Sequence, residues 1–424
     1  MQKVLIITYY WPPAGGPGVQ RWLKFATYLP NFQIEPIVYV PENANYPIKD
    51  TTLSDDVPDS LKIISHPIRE PYSLANMVGG KKSKDISRGI IQPSSKQGIL
   101  QKALLFARGN FFIPDARVGW VAPSVKYLIQ VIRSEKIKTI ITTGPPHSVH
   151  LIGLELKKKL NIRWIADFRD PWTTIGYHQQ LKMLPYAKDK HTKLEKDVLD
   201  GADQLVVTSW VTQKEFETKT NTPVSVITNG FEIKSEGVAE KEKFFTFSHI
   251  GSLLSRRNPI VLWETFSEIL EDSADFRENF KLKFAGVVSD EVLESLTSFG
   301  LKPYVEYLGY LPHPKAVSLQ KSSRVLLLIE INSEETKAII PGKLFEYMAS
   351  GTPIIALGPE GSDVKKLLNE TETGYYFTYS DKSALKQHIY QLFHKFQANE
   401  LEVKGKNIMK FSRKSLTAKL SELI

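Results

Sequence analysis

Short apolar runs rich in β-branched residues recur along the 424-residue chain, with stretches of helical spacing between them. In the first half they are VLIITYY (4–10), EPIVYV (35–40), KTIITT (138–143), RWIAD (163–167), QLVVT (204–208) and VSVIT (224–228). In the second half they are FFTFSHI (244–250), KLKFAG (281–286), YVEYLG (304–309), RVLLLI (324–329) and PIIAL (353–357). Their apolarity is continuous rather than alternating, which describes strands covered on both faces and so parallel sheets with helical crossovers. The pattern lapses over the polar stretch 231–243, which reads as a linker. The expectation is an α/β protein of two doubly wound domains, each able to hold part of a ligand at its strand carboxyl ends.

One helix in this pattern poses a question of charge. In AIIPGKLFEYMASGTPIIAL (338–357), Pro341 and Gly342 break what precedes, and 343–350 reads as a short helix. Leu344, Phe345, Met348 and Ala349 form its apolar stripe, and Gly351 is placed to stop it. Lys343 and Glu346 are three apart and share the opposite face. A cation in the first turn opposes the helix dipole, so Lys343 is oddly placed unless an anion lies nearby. The alternative is a solvent-exposed Lys–Glu pair.

Composition narrows the partners. The formal charge of +9 favours an anionic one: nucleic acid, an acidic membrane surface or a phosphorylated small molecule. The absence of cysteine excludes disulfides, thiol nucleophiles and cysteine-ligated zinc. No apolar stretch has the length of a membrane span or a signal peptide, so a cytoplasmic protein is expected. Residues 77–112 set Lys81, Lys82, Lys84, Arg88, Lys96, Lys102 and Arg108 against one acid, Asp85, with apolar residues interleaved. That segment is either a solvated insertion or a surface that lies on anionic lipid headgroups. Nucleic acid fits less well, because no motif for it accompanies the charge.

Four loops that follow strands carry candidate chemistry. After the first strand, Gly15, Gly16 and Gly18 precede a helical pattern, where backbone amides could approach a phosphate; a tight turn is the alternative. The loop is neither GxGxxG nor a Walker sequence. After FFTFSHI comes Gly251, then Arg256 and Arg257 just before a helix; arginine's planar fork suits phosphate oxygens, although such a surface pair is common. His147 follows KTIITT, either as a functional residue or as a polar residue at a helix start. Asp167, Arg169, Asp170 and Trp172 follow RWIA, where a local Asp167–Arg169 ion pair and an Asx-type turn at Asp170 are the plainer readings.

With these residues in view, the chain resembles the family-four retaining glycosyltransferases of the GT-B fold, in the branch of bacterial surface-polysaccharide enzymes. The likeness rests on the Gly-Gly loop at 15–18, Asn229-Gly230-Phe231, residues 251–257, Gly309-Tyr310-Leu311-Pro312, and above all Pro341-Gly342-Lys343-Leu344-Phe345-Glu346-Tyr347 with Ser350-Gly351-Thr352-Pro353. Relatives usually carry two glutamates eight positions apart; the second matches Glu346, and Ala338 stands at the first. Arg169-Asp170 falls where many relatives have a His-Asp pair.

The resemblance implies two Rossmann-like domains facing a cleft: an acceptor domain at 1–232, a nucleotide-sugar domain at 244–403, and a C-terminal helix at 404–424 returning to the first. It implies that Glu346 grips the ribose diol of a UDP- or GDP-sugar and that Lys343 meets the diphosphate opposite Arg257. Gly15, Gly16, Gly251, Tyr310, Leu311 and Leu344 complete the donor set. Arg169, Asp170 and Trp172 face the acceptor, a glycan or a lipid-linked sugar, and Asp170 and His147 position it or handle its proton. No D-x-D triplet occurs, so metal-independent transfer with no cofactor is expected, with the cations carrying leaving-group charge. Location would be cytoplasmic, at the inner face of the membrane if residues 77–112 bind lipid. Two other readings stay open: a sugar-nucleotide epimerase or hydrolase of the same fold, and a silent nucleotide-sugar-binding component of an assembly complex, suggested by Ala338.

Overall fold

The computed structural model describes residues 1–68, 70, 99–174, 181–233 and 239–424. Most of the basic segment at 77–112, including Lys81, Lys82, Lys84, Arg88 and Lys96, therefore lies outside the described residues. The chain divides into two compact units, Met1–Asn229 with Arg413–Ile424, and Gly230–Ser412.

The first unit holds a seven-stranded sheet in the order β3-β2-β1-β4-β5-β6-β7. Its strands are β1 Gln2–Thr8, β2 Ile34–Pro41, β3 Lys62–His66, β4 Thr139–Gly144, β5 Arg163–Phe168, β6 Gln204–Val207 and β7 Val224–Val226. Every pairing is parallel. The continuous apolar runs explain why: alternate residues of β1 feed cores on opposite faces, Leu5 and Ile7 on one and Val4 and Ile6 on the other. The second face is completed by helix Pro17–Tyr28, through Trp22, Leu23 and Phe25, and by helix Arg413–Ser421, through Leu416 and Leu420. Arg413 Nη2 donates to Gln20 Oε1 at 2.9 Å, tying the late helix to the early one. The segment from 404 to 412, ahead of that helix, belongs to the second unit.

The second unit holds six parallel strands in the order β10-β9-β8-β11-β12-β13. They are β8 Phe245–Ile250, β9 Phe280–Ala285, β10 Val305–Gly309, β11 Val325–Ile329, β12 Ile354–Gly358 and β13 Gly374–Thr378. Phe247, Phe266, Phe280, Val325, Leu327 and Ile329 share one buried core. In this sheet the chain builds outward from β8 in one direction and from β11 in the other, so β8 and β11 flank the point where strand order reverses. Open parallel sheets bind ligands just beyond the carboxyl ends of that pair. The first unit has its own reversal between β1 and β4.

Candidate functional site

The carboxyl ends of β8 and β11 carry a compact group of ionisable side chains. Helix Gly342–Ala349 starts there and directs Lys343 back toward β8, where Nζ donates to the Ile250 carbonyl at 3.0 Å and lies 3.3 Å from His249 Nε2. Burial, with the Arg257 charge adding to it, pushes the Lys343 ammonium down to about 7. Arg257 closes the short turn Ser255–Arg257 after β8 and is half-buried. Its charge reaches Lys343, His249, Glu330 and Tyr379. A buried ammonium lowered further by a neighbouring guanidinium makes a site prepared for an anion.

Glycines make room for that approach. Gly251 (φ +117°) and Gly286 (φ +123°) both adopt the left-handed region that side chains disfavour. A Cβ on Gly251 would stand 3.3 Å from Lys343 Nζ, and one on Gly286 would press to 2.7 Å from the Gly251 backbone.

Glu346 faces another element: Oε1 lies 3.1 Å from His313 Nε2, and Oε2 accepts from Gln320 Nε2 at 3.1 Å, both on helix His313–Ser322. Lys343 and Glu346 thus leave one helix in separate directions and make different contacts. Tyr310 is 88% exposed just past β10, and Leu311 beside it is half-buried. Leu344 corrects the sequence reading: its side chain is fully buried and its N–H donates to the Pro341 carbonyl, so it offers the core, not a ligand. Ala349, expected in the apolar stripe, is exposed, and Tyr347 takes the buried position.

The residue that sequence reasoning missed is Glu330, the first past β11. It is 4% exposed, with Tyr376 Oη 3.0 Å and Ser362 Oγ 3.1 Å from Oε2, while its carbonyl accepts from Tyr379 Oη at 2.8 Å. Burial pushes its carboxyl up to about 7, against the pull of Tyr376, Ser362 and Arg257. Tyr376 has one proton and two neighbours, Glu330 and the Pro359 carbonyl at 2.8 Å. A carbonyl can only accept, so giving the proton to Pro359 leaves Glu330 to donate, as a neutral acid can.

In the first unit the structure separates the candidates. Asp167 is fully buried and pairs with Arg21 Nη2 (3.0 Å), Trp22 Nε1 (2.8 Å) and Thr143 Oγ1 (2.8 Å), in place of the local Asp167–Arg169 pair that was the plainer alternative. Arg169 instead donates Nε to the Gly144 carbonyl at 3.1 Å and Nη2 to the Pro145 carbonyl. Asp170 is half-buried, its carboxyl raised by burial against the opposing Arg169 charge. His147 and Trp172, expected in an open loop, are buried and stacked on each other at 4.7 Å, with Trp172 Nε1 donating to His191 Nδ1 at 3.0 Å. Their side chains offer an acceptor no surface. Gly15 is corrected too, because its N–H already donates to the Ile48 carbonyl at 3.0 Å. Gly16 precedes helix Pro17–Tyr28, with open space around the position of a Cβ. The helix after β4 has its N-terminus filled from within: Asp115 accepts from Ser148 N at 2.9 Å and from Ser148 Oγ at 2.8 Å.

Among the described residues, no group of three or more His, Asp or Glu side chains could hold a metal ion, and no helix is long and apolar enough to cross a membrane.

With this geometry in place, comparison identifies the fold. The family model for "Glycosyl transferases group 1" matches residues 245–395, so the second unit carries a domain of that kind, spanning Gly251, Arg257, Lys343 and Glu346. Over the whole chain the fold is that of GT-B glycosyltransferases, as the sequence led one to expect. It is similar to sucrose-phosphate synthase from Thermosynechococcus elongatus (15% identity, TM-score 0.62, covering 100% of this chain and 98% of that one). It is also similar to the lipopolysaccharide outer core galactosyltransferase WaaB (14%, 0.60, 100% and 99%). A third likeness is to Anabaena HepE in complex with UDP-glucose (13%, 0.59, 100% and 99%). No curated protein matches the sequence.

Proposed function

We propose that the protein is a retaining glycosyltransferase that moves a sugar from a UDP- or GDP-sugar to a hydroxyl of a glycan or lipid-linked acceptor, in surface-polysaccharide assembly. The observation that carries this reading is the pair of cations, Lys343 and Arg257, beside the ends of β8 and β11 in a glycosyltransferase group 1 domain. On this reading the donor diphosphate is the anion that Lys343 lacks, and Glu346 takes the ribose diol with its two acceptor oxygens. As the nucleotide diphosphate leaves, Arg257 and Lys343 stabilise its growing charge, and a phosphate oxygen helps deprotonate the acceptor on the same face. Asp170 is the first-unit carboxylate left to meet the acceptor. No metal or other cofactor takes part, and the basic residues from 77 to 112 bring the enzyme to an anionic lipid surface.

The experiment is product formation from UDP- and GDP-sugars with glycan and lipid-linked acceptors, with and without EDTA, and with anionic or neutral vesicles. The expected result is a glycoside of retained anomeric configuration, made equally in EDTA, with the protein sedimenting on anionic vesicles and released by salt. Donor turnover without glycoside would favour the epimerase or hydrolase reading, and donor binding without turnover the silent one. Loss of activity in EDTA, restored by manganese or magnesium, would refute metal independence alone.

A further inference from the structure

His249 is the penultimate residue of β8 and is fully buried, as are the four strand residues before it. Its Nδ1 lies 3.1 Å from the Leu327 carbonyl of the neighbouring β11. A carbonyl only accepts, so Nδ1 carries the proton. In a neutral ring Nε2 is then a bare acceptor, and it lies 3.3 Å from Lys343 Nζ. We propose that His249 is the positioning residue for Lys343: its tautomer, fixed by Leu327, accepts one ammonium hydrogen while the Ile250 carbonyl accepts another at 3.0 Å. The third hydrogen is left for an incoming phosphate oxygen beside Gly251.

The surroundings agree with a ring that stays neutral. Burial holds its imidazolium form well below the ordinary range, and Lys343 and Arg257 push the same way, against hydrogen bonds involving the Leu327 and Ser252 backbones. A protonated ring would be a third cation against two others. From helix Gly342–Ala349 the Tyr347 hydroxyl accepts from Ile250 N at 3.0 Å, fixing the strand end on which Lys343 rests. Without the imidazole nitrogen, an ammonium already depressed by burial would lose a further share of its charged population.

The purpose of this arrangement rests on the donor reading above, but the arrangement itself belongs to the unliganded chain, so the test starts there. Lys343 in the full-length protein is labelled with acetic anhydride across pH, and the midpoint is read by peptide mass spectrometry. The parent midpoint is expected near 7. His249→Phe fills the space without an acceptor, and His249→Asn keeps a donor toward Leu327 but is too short to reach Nζ. Each should lower the midpoint by about one pH unit, the scale of one hydrogen bond to a charged group. A parental midpoint in either folded variant overturns the assignment and reduces His249 to a core residue. Adding UDP or GDP to the parent should raise the midpoint and slow labelling; if neither does, the donor reading fails while the positioning role is still judged by the variants.

Discussion

Burial and the Arg257 charge both disfavour the Lys343 ammonium, and an anion arriving beside it would offset that cost. Removing either should therefore weaken the reaction more than the fold. Arg257→Ala and Lys343→Ala are each expected to lower turnover by roughly 10²–10³, the scale of losing one transition-state charge stabiliser. Steady-state rates on variants with parental circular dichroism check this, and near-parental rates in both would remove the diphosphate assignment. Lys343 could be singled out from sequence because a cation in a first helical turn is an electrostatic misfit. His249 and Glu330 could not, since one sits inside FFTFSHI and the other ends RVLLLIE, runs that read simply as buried strand. A titratable residue within such a run was the available signal. His147 and Trp172 misled for the opposite reason: position after a strand says which sheet edge a residue occupies, not whether its ring turns inward.

At the scale of elements, legibility followed the length of the apolar run. Among the described residues, eleven strands were readable from continuous apolar runs, and the two that were not, β3 and β13, are both edge strands of mixed exposure. Edge position alone does not explain this, since β7 and β10 are edge strands with no fully buried residue and were read from VSVIT and YVEYLG; β3 (KIISH) and β13 (GYYFT) hold too few consecutive aliphatic residues to form such a run. The loops at the strand ends depend on backbone more than on side chains. Gly286 shows this, with left-handed φ and no space for a Cβ against the Gly251 backbone. Gly286→Ala should destabilise the second unit by about 1–3 kcal/mol, the usual cost of a strained backbone position. Because the displaced backbone adjoins Lys343, affinity for UDP or GDP should fall as well. Thermal unfolding and calorimetric titration check the two effects; a variant unchanged in both would show that the loop has slack.

For the whole molecule, a fold of two parallel α/β units was legible because every covered strand announced itself. The return of residues 413–424 to the first unit is long-range packing that no local pattern encodes, and it was expected only through the family resemblance. Leu416 and Leu420 complete the face formed by Trp22, Leu23 and Phe25. Deleting residues 413–424 should thus weaken the first unit selectively: it should melt earlier, while stabilisation by nucleotide, about 2.7 kcal/mol at 100 times the dissociation constant, persists in the second. Differential scanning calorimetry with and without UDP or GDP checks this, and an unchanged first transition would count against it. The same topology imposes an order on biosynthesis. Residues 230–412 are contiguous and can close on themselves as they leave the ribosome, whereas the earlier-made unit waits for a helix translated after them. The half of the protein made first is the half finished last, and until then its unfinished apolar face is the natural client of a chaperone.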